Sequence, residues 1–263
     1  MILELSITTD YARDTGDPSP YLRDIAEAGF THVHWCHHWN TDFLYSKYEI
    51  EHIMKWLNEY GLRLLDLHGA VGPEKNWYSP CEYERLAGVE LVKNRMEMVA
   101  RLSSDVVVMH LPRGPISDSI RESLDALLPV SRELGVRIAL ENGCFEAIRS
   151  AFAEYDPQFV GLCYDCGHGN MDQNGLDKME AVKDRLIAVH LHDNDGKSDQ
   201  HKLLFTGSVD WSRLATIIAE SSYSKCASME VSIGNMGMDD EKVFLQAAFD
   251  GGTTLSRMID MKR

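Results

Sequence analysis

Residues 188–210 read AVHLHDNDGKSDQHKLLFTGSVD and combine a predicted strand with several histidines and aspartates. An apolar, β-prone run ends in His190 and His192, and residues two apart on a strand face the same side. Asp199 and His201 repeat that spacing after a polar turn. The stretch thus places four side chains that can bind a metal at the end of a buried strand. A polar loop that happens to contain histidines is the alternative.

Short apolar runs alternate with helical patterns along the rest of the chain. Strands are predicted at 3–8, 31–35, 64–68, 106–110, 136–141, 160–165, 187–192 and 227–231. Helices are predicted at 21–28, 48–60, 87–102, 120–134, 176–186, 211–221 and 241–261, with a further helix ending at 152. Strands separated by helices require parallel crossovers, so the pattern predicts the α/β class, as a single (β/α)8 TIM-barrel domain over residues 1–263. An open doubly wound sheet would carry a glycine-rich turn after the first strand, which residues 10–20 lack.

The composition excludes several classes of protein. The 263 residues carry a formal net charge of -15, which argues against a nucleic-acid partner. Six scattered cysteines do not form a secreted disulfide framework, and Cys163 and Cys166 are expected to be ordinary buried cysteines. The first residues do not resemble a signal peptide, and no apolar run is long enough for a membrane span. We therefore expect a cytoplasmic protein without a membrane partner. The sequence is compatible with a homo-oligomer.

Six predicted strands end at a residue that can bind a metal. These residues are His68, His110, Glu141, Asp165, His190 and Glu230. In a barrel all carboxyl ends of the strands converge on one mouth. Glu141 and Glu230 lie in apolar runs, where an unpaired carboxylate is costly, so they are predicted to face a cation. The mixed nitrogen and oxygen ligands suit Mn²⁺, Zn²⁺, Co²⁺ or Mg²⁺. Six separate buried polar groups are the alternative.

Several short motifs resemble the xylose isomerase-like barrel superfamily. They are LEN at 140–142, DCGH at 165–168, VHLHD at 189–193, DQH at 199–201 and MEV at 229–231. The superfamily holds sugar isomerases and epimerases, including sugar phosphate isomerases, together with hydroxypyruvate isomerase, inosose dehydratase and endonuclease IV. The resemblance covers nearly the whole chain in order, and it again implies a TIM barrel.

In the sugar isomerase and epimerase branch, the resemblance implies one divalent metal held by Glu141, Asp165, His190 and Glu230. The two glutamates would also move protons, and His168 would touch the substrate. This predicts a divalent-metal-dependent isomerase or epimerase of a small sugar, sugar phosphate or polyol, acting through an enediolate. Mn²⁺ or Zn²⁺ is the first expectation for the metal.

The endonuclease IV branch supplies the main alternative, a trinuclear-zinc phosphodiesterase. Its additional ligands fall on His68, His110, His168, Asp199 and His201, all of which this chain has. Two segments depart from that branch. Residues 69–72 lack its tyrosine and asparagine, and residues 202–207 lack its Gly-acidic-Gly pattern. A non-catalytic sugar-binding barrel is a third possibility.

A set of aromatic and imidazole side chains is expected to contact the substrate at the mouth. The set comprises His168, His68, His110, His192, His201 and Trp35. His192 could instead orient a metal ligand. Trp35 could stack on a sugar, as could Trp39 beside His37 and His38, although a core tryptophan is equally in keeping with the pattern.

Overall fold

The apolar runs form one parallel sheet, described in a computed structural model for residues 3–37, 44–69 and 76–263. The strands are β1 (Leu5–Thr8), β2 (His32–Trp35), β3 (Arg63–His68), β4 (Val106–Met109), β5 (Arg137–Glu141), β6 (Val160–Asp165), β7 (Leu186–His190) and β8 (Ala227–Met229). They pair in the order β7-β6-β5-β4-β3-β2-β1-β8. The N–H of Leu191 donates to Ser228 and the N–H of Glu230 donates to Leu191, and these bonds close the gap between β7 and β8. The fold is the predicted (β/α)8 TIM barrel.

Helices separate most of the strands and pack outside the barrel. They are α1 (Ser19–Glu27), α2 (Lys47–Tyr60), α3 (Glu82–Arg101), α4 (Asp118–Leu134), α5 (Phe145–Glu154), α6 (Cys166–Met171), α7 (Gly175–Glu180), α8 (Trp211–Ala219) and α9 (Glu241–Asp260). Gly61 and Gly135 end α2 and α4 in the left-handed conformation, which glycine adopts without strain. No helix in the described part of the chain is long and apolar enough to cross a bilayer.

The structure differs in detail from the predicted elements at one helix, at one additional helix and at three strand ends. The helix predicted at 176–186 ends at Glu180 and is followed by a 3-10 turn, Lys183–Arg185, before β7 begins. Residues 166–171 form the short helix α6, where no helix was predicted, because the Asp165 carboxylate caps it by accepting from the N–H of His168. Strands β4, β7 and β8 end before His110, His192 and Glu230, which therefore lie just beyond the ladder.

Alternation along the strands decides which side chains enter the barrel. Leu140, Leu162 and Val189 belong to the large core that packs against the helices. Their neighbours along the strands point the other way. The register places Glu141 beside Cys163 and Asp165 beside His190. The metal-competent residues predicted at these strand ends therefore point into one mouth.

Candidate metal centre

Asn142 fixes the ends of β5 and β6 against each other. Its side-chain amide donates to the carbonyl of Asp165 over 2.8 Å, and its carbonyl oxygen accepts from the N–H of Asp165 over 2.5 Å. This pair of bonds continues the sheet where the strands end. Glu141 and Asp165 are consequently anchored on neighbouring, rigid strand ends rather than on loops.

Glu141 is the hub of the site. Its buried Oε2 lies 3.4 Å from Nδ1 of His190, 3.4 Å from Nε2 of His110 and 3.6 Å from Nε2 of His68. Its Oε1 lies 3.3 Å from Nδ1 of His168. One buried carboxylate thus faces four imidazoles, three at or just beyond strand ends and one on α6.

Glu230 completes the inner part of the cluster from the end of β8. Its Oε2 lies 2.9 Å from Nδ1 of His190, yet neither atom has a partner with hydrogen-bond geometry among the described residues. Oε2 of Glu141, Nε2 of His190 and Nδ1 of His168 are also buried without a partner. Unpaired buried polar atoms are costly, so this concentration at one point requires an explanation.

These spacings would suit side chains that share a divalent cation. Ligand atoms placed tetrahedrally at about 2.1 Å from one ion are about 3.4 Å apart, which is close to the separations around Glu141. His68, His110 and Glu141 form one group of converging ligand atoms, and Glu141, Cys163 and His190 form another. Imidazole nitrogen and carboxylate oxygen are suitable donors for Zn²⁺ or Mn²⁺.

Mutual charge stabilisation shifts the pKa values throughout the cluster. Burial alone would raise the pKa of Glu141, but the facing His190, His168 and His68 outweigh it and hold this pKa well below its ordinary value. The pKa of Glu230 is likewise lowered, against burial, by His190. Burial opposes the charged form of His190, yet neighbouring anionic groups raise its pKa well above the ordinary value. The pKa of His110 shifts the other way and is lowered, chiefly by burial.

A second group surrounds Asp199 on the loop after β7. Its carboxylate lies 3.2 Å from Nε2 of His201, 3.4 Å from Nε2 of His168 and 3.6 Å from Nε2 of His192. The His192 and His201 rings stack with centroids 4.0 Å apart. Against burial, Asp199 and Glu141 raise the pKa of His168 to about 11, and Asp199 raises that of His201 to about 9. This group can hold a cation or contact a polar ligand.

Asp165 connects the two groups. Both of its carboxylate oxygens lie 3.1 Å from Nε2 of the buried His192, and one lies 3.9 Å from Nδ1 of His168. Gly167 makes this possible, because a Cβ there would lie 2.0 Å from the His192 ring. The glycine of the DCGH motif is therefore a packing requirement of His192.

Trp35 occupies a different environment from the other predicted substrate contacts. It is 1% exposed, and its indole N–H donates to the carbonyl of His37 and to the hydroxyl of Tyr45. These contacts give Trp35 a packing role. His38, Trp39 and residues 70–72, which also entered the sequence interpretation, lie outside the described residues.

Sequence reasoning missed a buried pair beneath the cluster. Nδ1 of His34 lies 2.6 Å from Oδ1 of Asp66, both residues are fully buried, and the His34 ring centroid lies 4.4 Å from that of His190. Cys163 was expected to be an ordinary buried cysteine, but it lies beside Glu141 and His190. The available signal was the polar alternation in HVHW and LLDLH, where His34 and Asp66 each occupy an inward position of a buried strand.

Comparison with known proteins agrees with this architecture. The family described as "Xylose isomerase-like TIM barrel" matches residues 22–248. Uncharacterized protein y4fM of Sinorhizobium fredii is 29% identical over 260 residues, covering 85% of this chain and 84% of the relative. The chain belongs to the xylose isomerase-like TIM-barrel family.

Solved structures share the fold over almost the entire chain. A D-tagatose 3-epimerase-like protein superposes with a TM-score of 0.79 at 20% identity, covering 99% of this chain and 98% of the other. A D-psicose 3-epimerase crystallised in the presence of D-fructose gives 0.74 at 15% identity, with 99% of each chain covered. The IOLI protein with a binding zinc atom gives 0.70 at 13% identity, also with 99% of each covered. At these identities the likeness establishes the fold.

Proposed function

We propose that this member of the xylose isomerase-like TIM-barrel family is a divalent-metal-dependent isomerase or epimerase of a small carbohydrate. The observation that carries the proposal is the arrangement of Glu141 and Glu230 around His190. Both carboxylates are within 3.4 Å of the same imidazole nitrogen, and each has an oxygen without a hydrogen-bond partner. Two such carboxylates can hold a cation and also exchange protons with a substrate.

Glu141, His190 and Glu230 would hold the ion, with Asp165 as the fourth predicted ligand. When bound, a divalent ion withdraws electron density from neighbouring substrate oxygens and acidifies the hydrogen on the carbon between them. The pKa values of Glu141 and Glu230 are lowered, so both side chains are ionised near neutral pH. Mn²⁺ or Zn²⁺ suits these donors, and the zinc in the IOLI structure supports that choice.

Proton transfer follows from the two glutamates. One carboxylate takes the proton from the substrate carbon, and the electron pair of the broken C–H bond passes into an enediolate. In an isomerase, the carboxylic acid formed in this way returns its proton to the adjacent carbon. In an epimerase, the other glutamate takes up a proton from solvent, donates it to the opposite face of the carbon and is left as a carboxylate, while the first glutamate releases its proton to solvent. The Glu230 side chain is 13% exposed and that of Glu141 is 2% exposed, so Glu230 is the more open of the pair.

The substrate class is supported by the structural relatives and by the lining of the mouth. The relatives are named as a D-psicose 3-epimerase and a D-tagatose 3-epimerase-like protein. Sugar hydroxyls need many hydrogen-bond partners, which the predicted contact histidines at the mouth supply. These are His68, His110, His168 and His201. We propose that His192, which is 0% exposed and has its Nε2 3.1 Å from both oxygens of Asp165, orients that carboxylate instead of contacting the substrate. We leave Trp35 out of the proposed pocket because its ring and its N–H are used inside the protein.

Solvent isotope exchange tests this proposal. Protein loaded with Mn²⁺ and incubated with ketohexoses in D2O should place deuterium at the carbon that loses its proton. Glu141→Gln should lower that exchange by about a hundredfold or more, while circular dichroism shows an intact fold. Glu133→Gln, on the exposed surface of α4, is the matched control and should exchange normally. Undiminished exchange in Glu141→Gln would contradict the proposed role.

A second candidate is the trinuclear-zinc phosphodiesterase. The observation that favours it is that His68, His110 and Glu141 converge as one ligand group while His192, Asp199 and His201 converge as another. Elemental analysis after purification should give about one ion per chain for the isomerase and about three zinc ions for the phosphodiesterase. Failure of the zinc-loaded protein to nick abasic DNA would remove this candidate. Turnover of any sugar in a broad screen would remove the non-catalytic sugar-binding barrel.

A further inference from the structure

A cavity of about 680 Å³ opens beside the metal centre, between the loops that follow β4, β5 and β6. It shares His168 and Asn142 with the centre, and Nδ1 of His168 lies 3.3 Å from Oε1 of Glu141. Its volume is in the range of about 300–1,000 Å³ that small-molecule sites occupy. A substrate held at the metal centre could therefore extend into this cavity.

Two arginines give the cavity its charge. Arg113, on the loop after β4, and Arg149, on α5, line it, and both are exposed. Among the described residues, neither guanidinium makes an ion pair or a hydrogen bond. Unpaired guanidinium groups are suited to bidentate binding of a carboxylate or phosphate.

The remaining charged residues of the lining do not cancel the arginines. Lys178 donates to both carboxylate oxygens of Asp172 over 2.7 Å, so that pair is internally neutral. Glu146 is the other acidic side chain in the lining. The cavity therefore carries an excess of positive charge in a chain whose formal net charge is -15.

The start of α5 adds to this preference. Residues at 143–146 line the cavity, and Cys144, the residue before the helix, makes no capping hydrogen bond with its side chain. The first N–H groups of a helix lack partners within the helix and attract anions. The start of α5 therefore adds to the attraction of an anion by the two arginines and is not a binding site by itself.

We propose that Arg113 and Arg149 bind an anionic substituent, a phosphate ester or a carboxylate, of the carbohydrate whose reacting carbons lie at Glu141. The inference rests on the proposed function and narrows its substrate class to sugar phosphates or sugar acids. The metal centre and the arginines then hold the two ends of one ligand, with His168 between them.

Calorimetric titration tests the site without requiring turnover. The Mn²⁺-loaded protein is titrated with D-fructose, D-fructose 6-phosphate and D-glucuronate, and separately with inorganic phosphate. We expect at least one anionic sugar to bind about tenfold or more tightly than D-fructose, and the preferred anion distinguishes phosphate from carboxylate. The double variant Arg113→Gln/Arg149→Gln should remove that preference. Arg132→Gln, which removes an exposed arginine of α4 without a partner among the described residues, is the matched control and should keep it.

The outcomes separate this inference from the proposed function. Equal binding of the neutral and anionic sugars, absence of anion binding, or an unchanged preference in the double variant would overturn the anion site. Turnover of neutral sugars without any anion preference would leave the isomerase in place and remove only this site. An anion preference that depends on the arginines, with no isotope exchange for any sugar, would keep the site and remove the isomerase.

Discussion

Two buried carboxylates, one at the end of β5 and one after β7, have very different surroundings. Asp193, in the loop after β7, accepts from the N–H groups of Asn194 and Val209 and from the indole N–H of Trp211, over 2.9, 3.1 and 2.9 Å. Glu141 faces four imidazoles, and its Oε2 has no hydrogen-bond partner. Asp193 is satisfied by neutral donors that never titrate. Glu141 is satisfied only when protons or a cation supply positive charge.

The surroundings of each acid distinguish Asp193, which holds a loop in place, from Glu141, for which we propose a role in metal binding. Asp193 also exchanges both backbone hydrogen bonds with Lys202, so its carboxylate and main chain hold the same loop in place. Burial is common to both residues and is therefore not informative. The kind of hydrogen-bond donor is informative. Only donors that can lose a proton make the surroundings of the carboxylate depend on metal binding or on pH.

The largest effect is expected for Glu141→Gln on metal binding. Losing the shared carboxylate should raise the dissociation constant for Mn²⁺ or Zn²⁺ by about a hundredfold or more, because the remaining imidazoles then lack the anion that neutralises the ion. The unfolding free energy of the metal-free variant should also fall near neutral pH, because Glu141 attracts the imidazoles of His190, His168 and His68. A metal titration followed by calorimetry measures the first quantity and urea unfolding the second. Unaltered metal affinity would place Glu141 in the same class as Asp193.

Asp193→Asn should give the opposite pattern. The amide cannot accept at both positions, so one of the donors from Val209 or Trp211 is left unsatisfied and the loop is destabilised by about 2–3 kcal/mol. The loss should be equal with and without metal in urea unfolding. The intrinsic metal affinity of the folded variant should be close to that of the parent. A loss of stability confined to the metal-loaded form would contradict this assignment.

The pH dependence of stability and of metal affinity should distinguish the imidazole-rich cluster around Glu141 from the neutral donors around Asp193. The pKa of His168 is raised to about 11 and that of His201 to about 9 in the metal-free protein, mainly by Asp199 acting against burial. These attractions stabilise the metal-free fold fully below the unfolded histidine pKa of about 6.5 and are lost as the pH rises through the folded values. Metal-free stability should therefore fall from pH 7 to 9. Metal affinity should rise over the same range, by up to about tenfold per proton displaced per pH unit, because the ion competes with the proton of His190, whose pKa is also raised. Flat profiles for both would show that these imidazoles carry no protons that the metal displaces.

Asp66 is intermediate between Asp193 and Glu141 in how fully its carboxylate is hydrogen-bonded. Its substitution should give the smallest of the expected effects. One of its oxygens accepts from His34 over 2.6 Å, and the other has no partner. Since His34 packs against His190, Asp66→Asn should weaken metal binding by about tenfold through the orientation of His190. Ser6→Ala, which changes a buried polar residue on β1 whose hydroxyl accepts from Ser228, is the control and should leave metal affinity unchanged. Equal effects of the two changes would indicate general loosening of the barrel.

Periodicity predicted the barrel and the convergence of the strand ends, because alternation along a strand fixes the face of each side chain. It could not predict how far each strand is shifted along its neighbours, which decides which inward side chains meet. Register shifts occur between Val33 and His34 and between Leu162 and Cys163, and each changes which neighbours a side chain meets. This is why His34 and Cys163 were missed beside His190. The pairing of Asp165 with His192 also depended on Gly167, whose role appears only once the two elements are packed together.

The contacts of Asn142 have a consequence for how such a barrel changes during evolution. By tying β5 to β6, this amide makes the placement of Glu141 independent of the loops above it. Arg113 and Arg149, on the rim, take part in no bonds among the described residues, so replacing them costs the scaffold little. On the proposed function, substitutions at these two arginines would change which substrate is bound without altering the placement of Glu141.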